Sequence, residues 1–278
     1  MRLLSIVTSF IFVIFIGSWI WFNYPETRVY VYDFISRKKF NTLEVRYSAE
    51  NIMEAHRRDL LKDASHSFLE PDLKFHPYLL MEVKFNRSQD KTGEGIILWS
   101  LTDGEMVINT STWDMSHGFK DCIRAGADKD DFKIINTLVS RGGSLDRETL
   151  SKILNVDNDT LDQWIENCRK KNLIVQNGNS YRLHFQSPKM QVIPETKIDQ
   201  SIVSKAGRYA ARITKKFRPS QIEGLARSAF GNDFAIRKKT EIFLPVYSIV
   251  VQNPDGSLTT TYFNALNGKK LSQSHHIE

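Results

Sequence analysis

The most apolar stretch of the chain comes first. Leu3 to Phe22 carries no charged residue, and its polar members are Ser5, Thr8, Ser9 and Ser18. As a helix rising ~1.5 Å per residue it spans roughly 30 Å, the thickness of a bilayer core. Trp19, Trp21, Phe22 and Tyr24 at its far end suit a membrane interface, and Pro25 ends it. The pattern predicts a single-pass transmembrane anchor over residues 1–24, with residues 3–22 in the lipid bilayer. A cleaved signal peptide fits less well, because bulky aromatics stand where cleavage needs small residues. Arg28, Arg37, Lys38 and Lys39 after the span favour a cytoplasmic body, whereas the very short lead before it favours export. The balance tips slightly to an extracytoplasmic body.

Beyond the anchor the apolar period alternates between strand and helix values. Thr42 to Tyr47 alternates as a strand, and Ser48 caps a helix carrying Ile52, Ala55 and Leu60. Strands follow over 78–85 and 95–101, and Asp103-Gly104 turns the chain into Glu105 to Ile108. These elements make a first α+β unit, residues 40–125. The end of the chain repeats the order. Pro219 and Ser220 open a helix with Ile222, Leu225, Ala226 and Ala229. Strands over 242–251 and 258–263 flank the turn Asn253 to Gly256, and Asn267-Gly268 leads to Lys269-Lys270-Leu271. Ile52 falls on Ile222, Phe75 on Phe243, Pro77 on Pro245, Val83 on Val251 and Gly104 on Gly268. The separation narrows only from 170 residues (Ile52 to Ile222) to 164 (Gly104 to Gly268), which loop lengths explain. The expectation is an internal repeat, with Pro77 and Pro245 near the starts of matching strands.

Between the copies, Phe132, Ile134, Ile135, Leu138 and Val139 give one helix an apolar face, stopped by Gly142-Gly143. A second helix carries Leu150 and Ile153, and a third carries Leu161, Trp164, Ile165 and Cys168. Leu173 to Val175 and Tyr181 to Phe185 form a hairpin about Asn177-Gly178-Asn179. Residues 129–185 therefore resemble a winged helix-turn-helix domain. Residues 219–272, with their helix, strand, Asp255-Gly256 turn, second strand and closing Asn-rich turn with Gly268-Lys269, resemble a PepSY-type unit. That second resemblance implies a small α+β module, often membrane-associated, that binds partners or regulates peptidases. The predicted fold is α+β, comprising an N-terminal transmembrane helix, two repeated helix–strand–strand units and a projecting winged-helix insert.

Charge refines this picture. The chain of 278 residues has a net charge of +6. From Gln191 onward thirteen Lys and Arg stand against seven Asp and Glu, so the whole excess lies in the last third. Within the domain 200–272, the run 202–217 reads as a helix. Ile202, Ala206, Tyr209, Ile213 and Phe217 fall on one side, and Lys205, Arg208, Arg212, Lys215 and Lys216 on another. Such a face fits anionic lipid or nucleic acid, but a solvated surface face is the commoner outcome.

In DNA-binding winged helices the third helix enters the major groove. Here that helix offers Asp157, Asp159, Asp162 and Glu166, which repel phosphates. Asp159, Asp162 and Glu166 are thus candidates for protein contact. His117 and Cys122 have no second ligand pair for a structural metal, and no phosphate loop or catalytic signature occurs. Cys122 and Cys168 could pair or stay as thiols. The reading is a non-enzymatic, membrane-anchored assembly component without cofactor or metal, contacting a protein partner in a membrane complex. The alternative is a membrane-tethered winged-helix DNA-binding regulator.

Overall fold

The computed structural model describes residues 39–88, 91–185, 187–207 and 210–271. Compactness divides the described residues into two units, residues 39–40 with 205–207, and residues 41–204 with 210–271. The second holds all seven described helices.

Strands β1 (Phe40–Leu43), β2 (Ser67–Phe68), β3 (Asp72–Ser88), β4 (Lys91–Ser100), β5 (Met106–Asn109) and β6 (Asp114–Met115) run through the first half of the chain. Helices α1 (Ala49–Ala55) and α2 (Arg57–Leu60) lie between β1 and β2, and α3 (Phe119–Ala125) follows β6. Next come α4 (Lys129–Ser140), β7 (Ser144–Asp146), α5 (Arg147–Leu154), α6 (Asn158–Lys170), β8 (Ile174–Asn177) and β9 (Ser180–Leu183). The chain continues through β10 (Ile202–Lys205), β11 (Ala211–Arg212), α7 (Pro219–Phe230), β12 (Ala235–Gln252) and β13 (Leu258–Asn264). Ten strands form one sheet, in which β1, β12, β3, β4, β5 and β6 are successive neighbours; β11 pairs with β3, and both β2 and β13 pair with β12.

β3 and β12 are the frame. Each has an unbroken apolar run at its middle, Tyr78 to Met81 and Ile242 to Leu244, buried on both faces as a central strand requires. They pair antiparallel, with His76 opposite Leu244, Phe75 opposite Pro245 and Pro77 opposite Phe243. This register is unchanged when the two strands are exchanged, so a local two-fold axis passes between His76 and Leu244. The irregularities obey it too. Val83 faces Ile236 and Phe68 faces Val251, each one residue out of step with the centre.

Hydrogen bonds carry the same exchange outward. Leu101 N donates to Pro77 O (3.0 Å), and Ala265 N donates to Pro245 O (3.1 Å). Gly104 N closes a turn on Ser100 O, and Gly268 N closes one on Asn264 O. The segments preceding the helices cross over. Arg46 N and Tyr47 N donate to Ala265 O, while Lys216 N and Phe217 N donate to Leu101 O. Thr42 of β1 lies beside Phe243, and Arg212 of β11 lies beside Phe75. Each half thus lends its leading strand to the other half's long strand. Ser48 caps α1 by accepting from Asn51 N, and Ile52 of α1 packs with Ile249 and Phe263 of the other half. In the second half α7 opens with Pro219 at its first position, where a missing N–H costs nothing. Its Ile222 and Ala226 join a core containing Met81 and Trp99 of the first half.

Several expectations are corrected here. Among the described residues no helix is long and apolar enough to cross a membrane, and residues 3–22 lie outside them. This replaces the anchored α+β description with a mixed α/β fold around one curled sheet, and corrects the transmembrane and single-pass membrane assignments. Among the described residues, the run 202–217 is not a helix. Its described parts are the strands β10 and β11 and the bends around them, because backbone pairing with β3 outweighs a helical spacing of apolar residues. Pro77 and Pro245 lie inside β3 and β12 rather than near their starts. The segment 129–185 does not project as a separate insert either. Phe132, Ile135, Leu138, Leu161 and Ile165 belong to the same buried cluster as Met81, Ile97 and Trp99 of the sheet.

The two turn glycines give a stability test. Both need a positive φ, +74° at Gly104 and +68° at Gly268. A Cβ at Gly104 would lie 2.9 Å from the Phe217 ring, whereas one at Gly268 would lie 3.4 Å from Tyr47. Gly268→Ala should therefore cost about 1–2 kcal/mol from backbone strain alone, and Gly104→Ala measurably more. Urea denaturation of both variants checks the order.

Candidate functional site

The segment 129–185 is built from strong local signals. Asp128 caps α4 by accepting from Asp130 N and Asp131 N, and the Asp131 carboxylate accepts from Asp128 N in return. Gly143 N donates to Leu138 O to close the end of α4. Asp146 and Asp157 cap α5 and α6, each accepting from the backbone N–H and the hydroxyl of a threonine three residues on. β8 and β9 form the hairpin, and β7 joins the outer side of β9, giving the order β7-β9-β8. Lys171, just past α6, binds Asp131 (2.5 Å) and Asp128 (2.7 Å), tying the end of α6 to the start of α4. Asp131 is 2% exposed at its side chain and also accepts from the Cys168 thiol (3.2 Å).

Of the carboxylates singled out in the sequence, Asp159, Asp162 and Glu166 lie on α6 and all are exposed. Their spacing puts them on one face with Gln163. Asp162 accepts from Arg147 Nε and Nη2, both at 2.7 Å, and this ion pair lowers its pKa. Glu166 lies near Arg169 (3.4 Å) and Lys170 (3.8 Å) on its own helix. The face stays acidic at its N-terminal end, where Asp157 and Asp159 meet solvent.

The basic residues are not brought together as one face. Lys205 ends β10, Arg212 lies in β11, and Lys215 pairs with Glu241. Lys216 is held through its backbone N–H, and Arg208 lies outside the described residues. His117 is exposed while Cys122 is fully buried, so the two do not form a ligand pair. Among the described residues no group of three metal-binding side chains occurs. Cys122 and Cys168 are free thiols whose pKa values are pushed up, chiefly by burial.

A groove not singled out from the sequence runs beside α3. It encloses about 620 Å³ and is bounded by the segment Thr112–Gly118, by Lys120 and Arg124 of α3, and by Lys269 and Lys270. A second hollow of about 430 Å³ shares Asp121 and Arg124 with it and continues towards His184. Glu105 lies in the wall of the first. It accepts from Ser116 Oγ and from the N–H groups of Gly118 and Lys120, and burial raises its pKa despite these bonds. No known protein family, curated protein or solved structure matches the chain.

The caps set an acid dependence. Thr149 and Thr160 hold the Asp146 and Asp157 carboxyls below the usual range, and at Asp128 the Lys171 ammonium and backbone donors outweigh the opposing effect of burial. A lowered folded pKa stabilises above the unfolded value of about 3.9 and is lost as pH falls through the folded value. Thermal melts should therefore show falling stability below about pH 4. Asp157→Asn, which still caps but does not titrate, should keep neutral-pH stability and reduce that fall.

Proposed function

We propose that the chain is a non-enzymatic protein-binding component that meets its partner through α6 of the 129–185 segment. The observation that carries this reading is the exposed acidic face of α6. A DNA-reading helix directs its first turn at phosphates and base edges, and affinity comes from neutralising phosphates. Here Asp157 already occupies the helix N-terminus as its cap, and Asp159 adds a second carboxylate in the first turn. The helix–strand–helix–helix–hairpin order supports a winged-helix arrangement, which is a scaffold and not a function. The resemblance of residues 219–272 to a partner-binding module points the same way.

The test is charge reversal. A photo-crosslinker at Gln163 in cells should give a discrete protein adduct, and Asp159→Lys with Asp162→Lys and Glu166→Lys should abolish it. Circular dichroism checks that the variant still folds, since Asp162→Lys also removes the Arg147 pair. The unmodified chain should bind duplex DNA no tighter than roughly 0.1 mM, and the reversed chain should bind it more tightly. Sub-micromolar, salt-dependent duplex binding by the unmodified chain would favour a DNA-binding regulator instead.

A further inference from the structure

We propose that the groove beside α3 binds an extended acidic segment of a protein partner. Its charge balance is the first ground. Among its carboxylates, Asp114 is held by Lys189 (2.6 Å), Glu105 is buried and accepts from backbone N–H groups, and Asp103 is buried and accepts from Ser100 Oγ. Only Asp121 is exposed without an ion pair among the described residues. Against it stand Lys120, Arg124, Lys269 and Lys270, none of them paired with a carboxylate among the described residues. Four cations therefore face the groove from two chain regions against Asp121 at its surface. With Asp103 and Glu105 buried behind and Lys189 paired to Asp114, the described lining keeps a small positive balance, five cations to four carboxylates.

Shape is the second ground. The two hollows share Asp121 and Arg124, so an occupant can run along α3 instead of sitting in one closed cavity. Trp113 holds a φ of +54°, costly for a bulky residue, and its ring stands edge-on to Tyr78 at 5.5 Å.

Single-stranded nucleic acid is the rival polyanion, and the geometry favours peptide over it. Bases need exposed aromatic platforms, whereas Trp113 and Phe185 in these walls are buried. Asp121, set between Lys120 and Arg124, can accept from peptide N–H groups, which a phosphate backbone lacks. This surface is distinct from α6, so either can fail without the other.

The probe is a fluorescein-labelled twelve-residue peptide of alternating Glu and Ala, titrated into the full chain by anisotropy. Saturable binding that weakens with added salt is expected. Lys269→Gln with Lys270→Gln should weaken it about tenfold, and Arg124→Gln about threefold, as losing exposed ion pairs implies. Lys239→Gln, remote from the groove, and the α6 reversal should leave it unchanged. Absence of binding, equal affinity in the groove variants, or tighter binding of a single-stranded oligonucleotide of equal charge would overturn the proposal.

Discussion

The antiparallel pairing of β3 with β12 is the constraint on which the rest depends. Both strands are buried at their centres, so each must find partners on both edges, and their mutual register decides which partners remain possible. Because the register is symmetric about His76 and Leu244, the leading strand of each half comes to lie against the long strand of the other. Neither half closes its own core. Ile52 needs Ile249 and Phe263, and the segment before α7 needs the carbonyl of Leu101. The two halves are interlocked, not merely adjacent.

That interlocking explains why the segment between the halves is not a free appendage. It leaves the sheet at α3 and returns along the strand-like segment near Lys197, whose N–H donates to Ile108 O. Its helices share one buried cluster with the sheet, and Trp99 meets Phe119 at 4.8 Å on the boundary. The buried Asp131, with Lys171 and Cys168 around it, then fixes α6 against α4. An exposed acidic helix and a basic groove are in this way parts of one packed body.

Local features were readable from the sequence because their causes are local. Ser48 as a cap, the stop at Gly142-Gly143, the turns at Gly104 and Gly268 and the three helices between Phe132 and Cys168 each follow from a few neighbouring residues. The carboxylates of α6 were readable for the same reason, though not the capture of Asp162 by Arg147 from another helix. The run 202–217 could not be read this way. Its apolar spacing is helical, yet Arg212 occupies beside Phe75 the place that Thr42 occupies beside Phe243. The overlay of the two halves contained that signal, since Thr42 to Tyr47 alternates as a strand. The groove is purely tertiary. Lys120 and Arg124 become neighbours of Lys269 and Lys270 only when the long strands pair, and a linear sequence holds no measure of that distance.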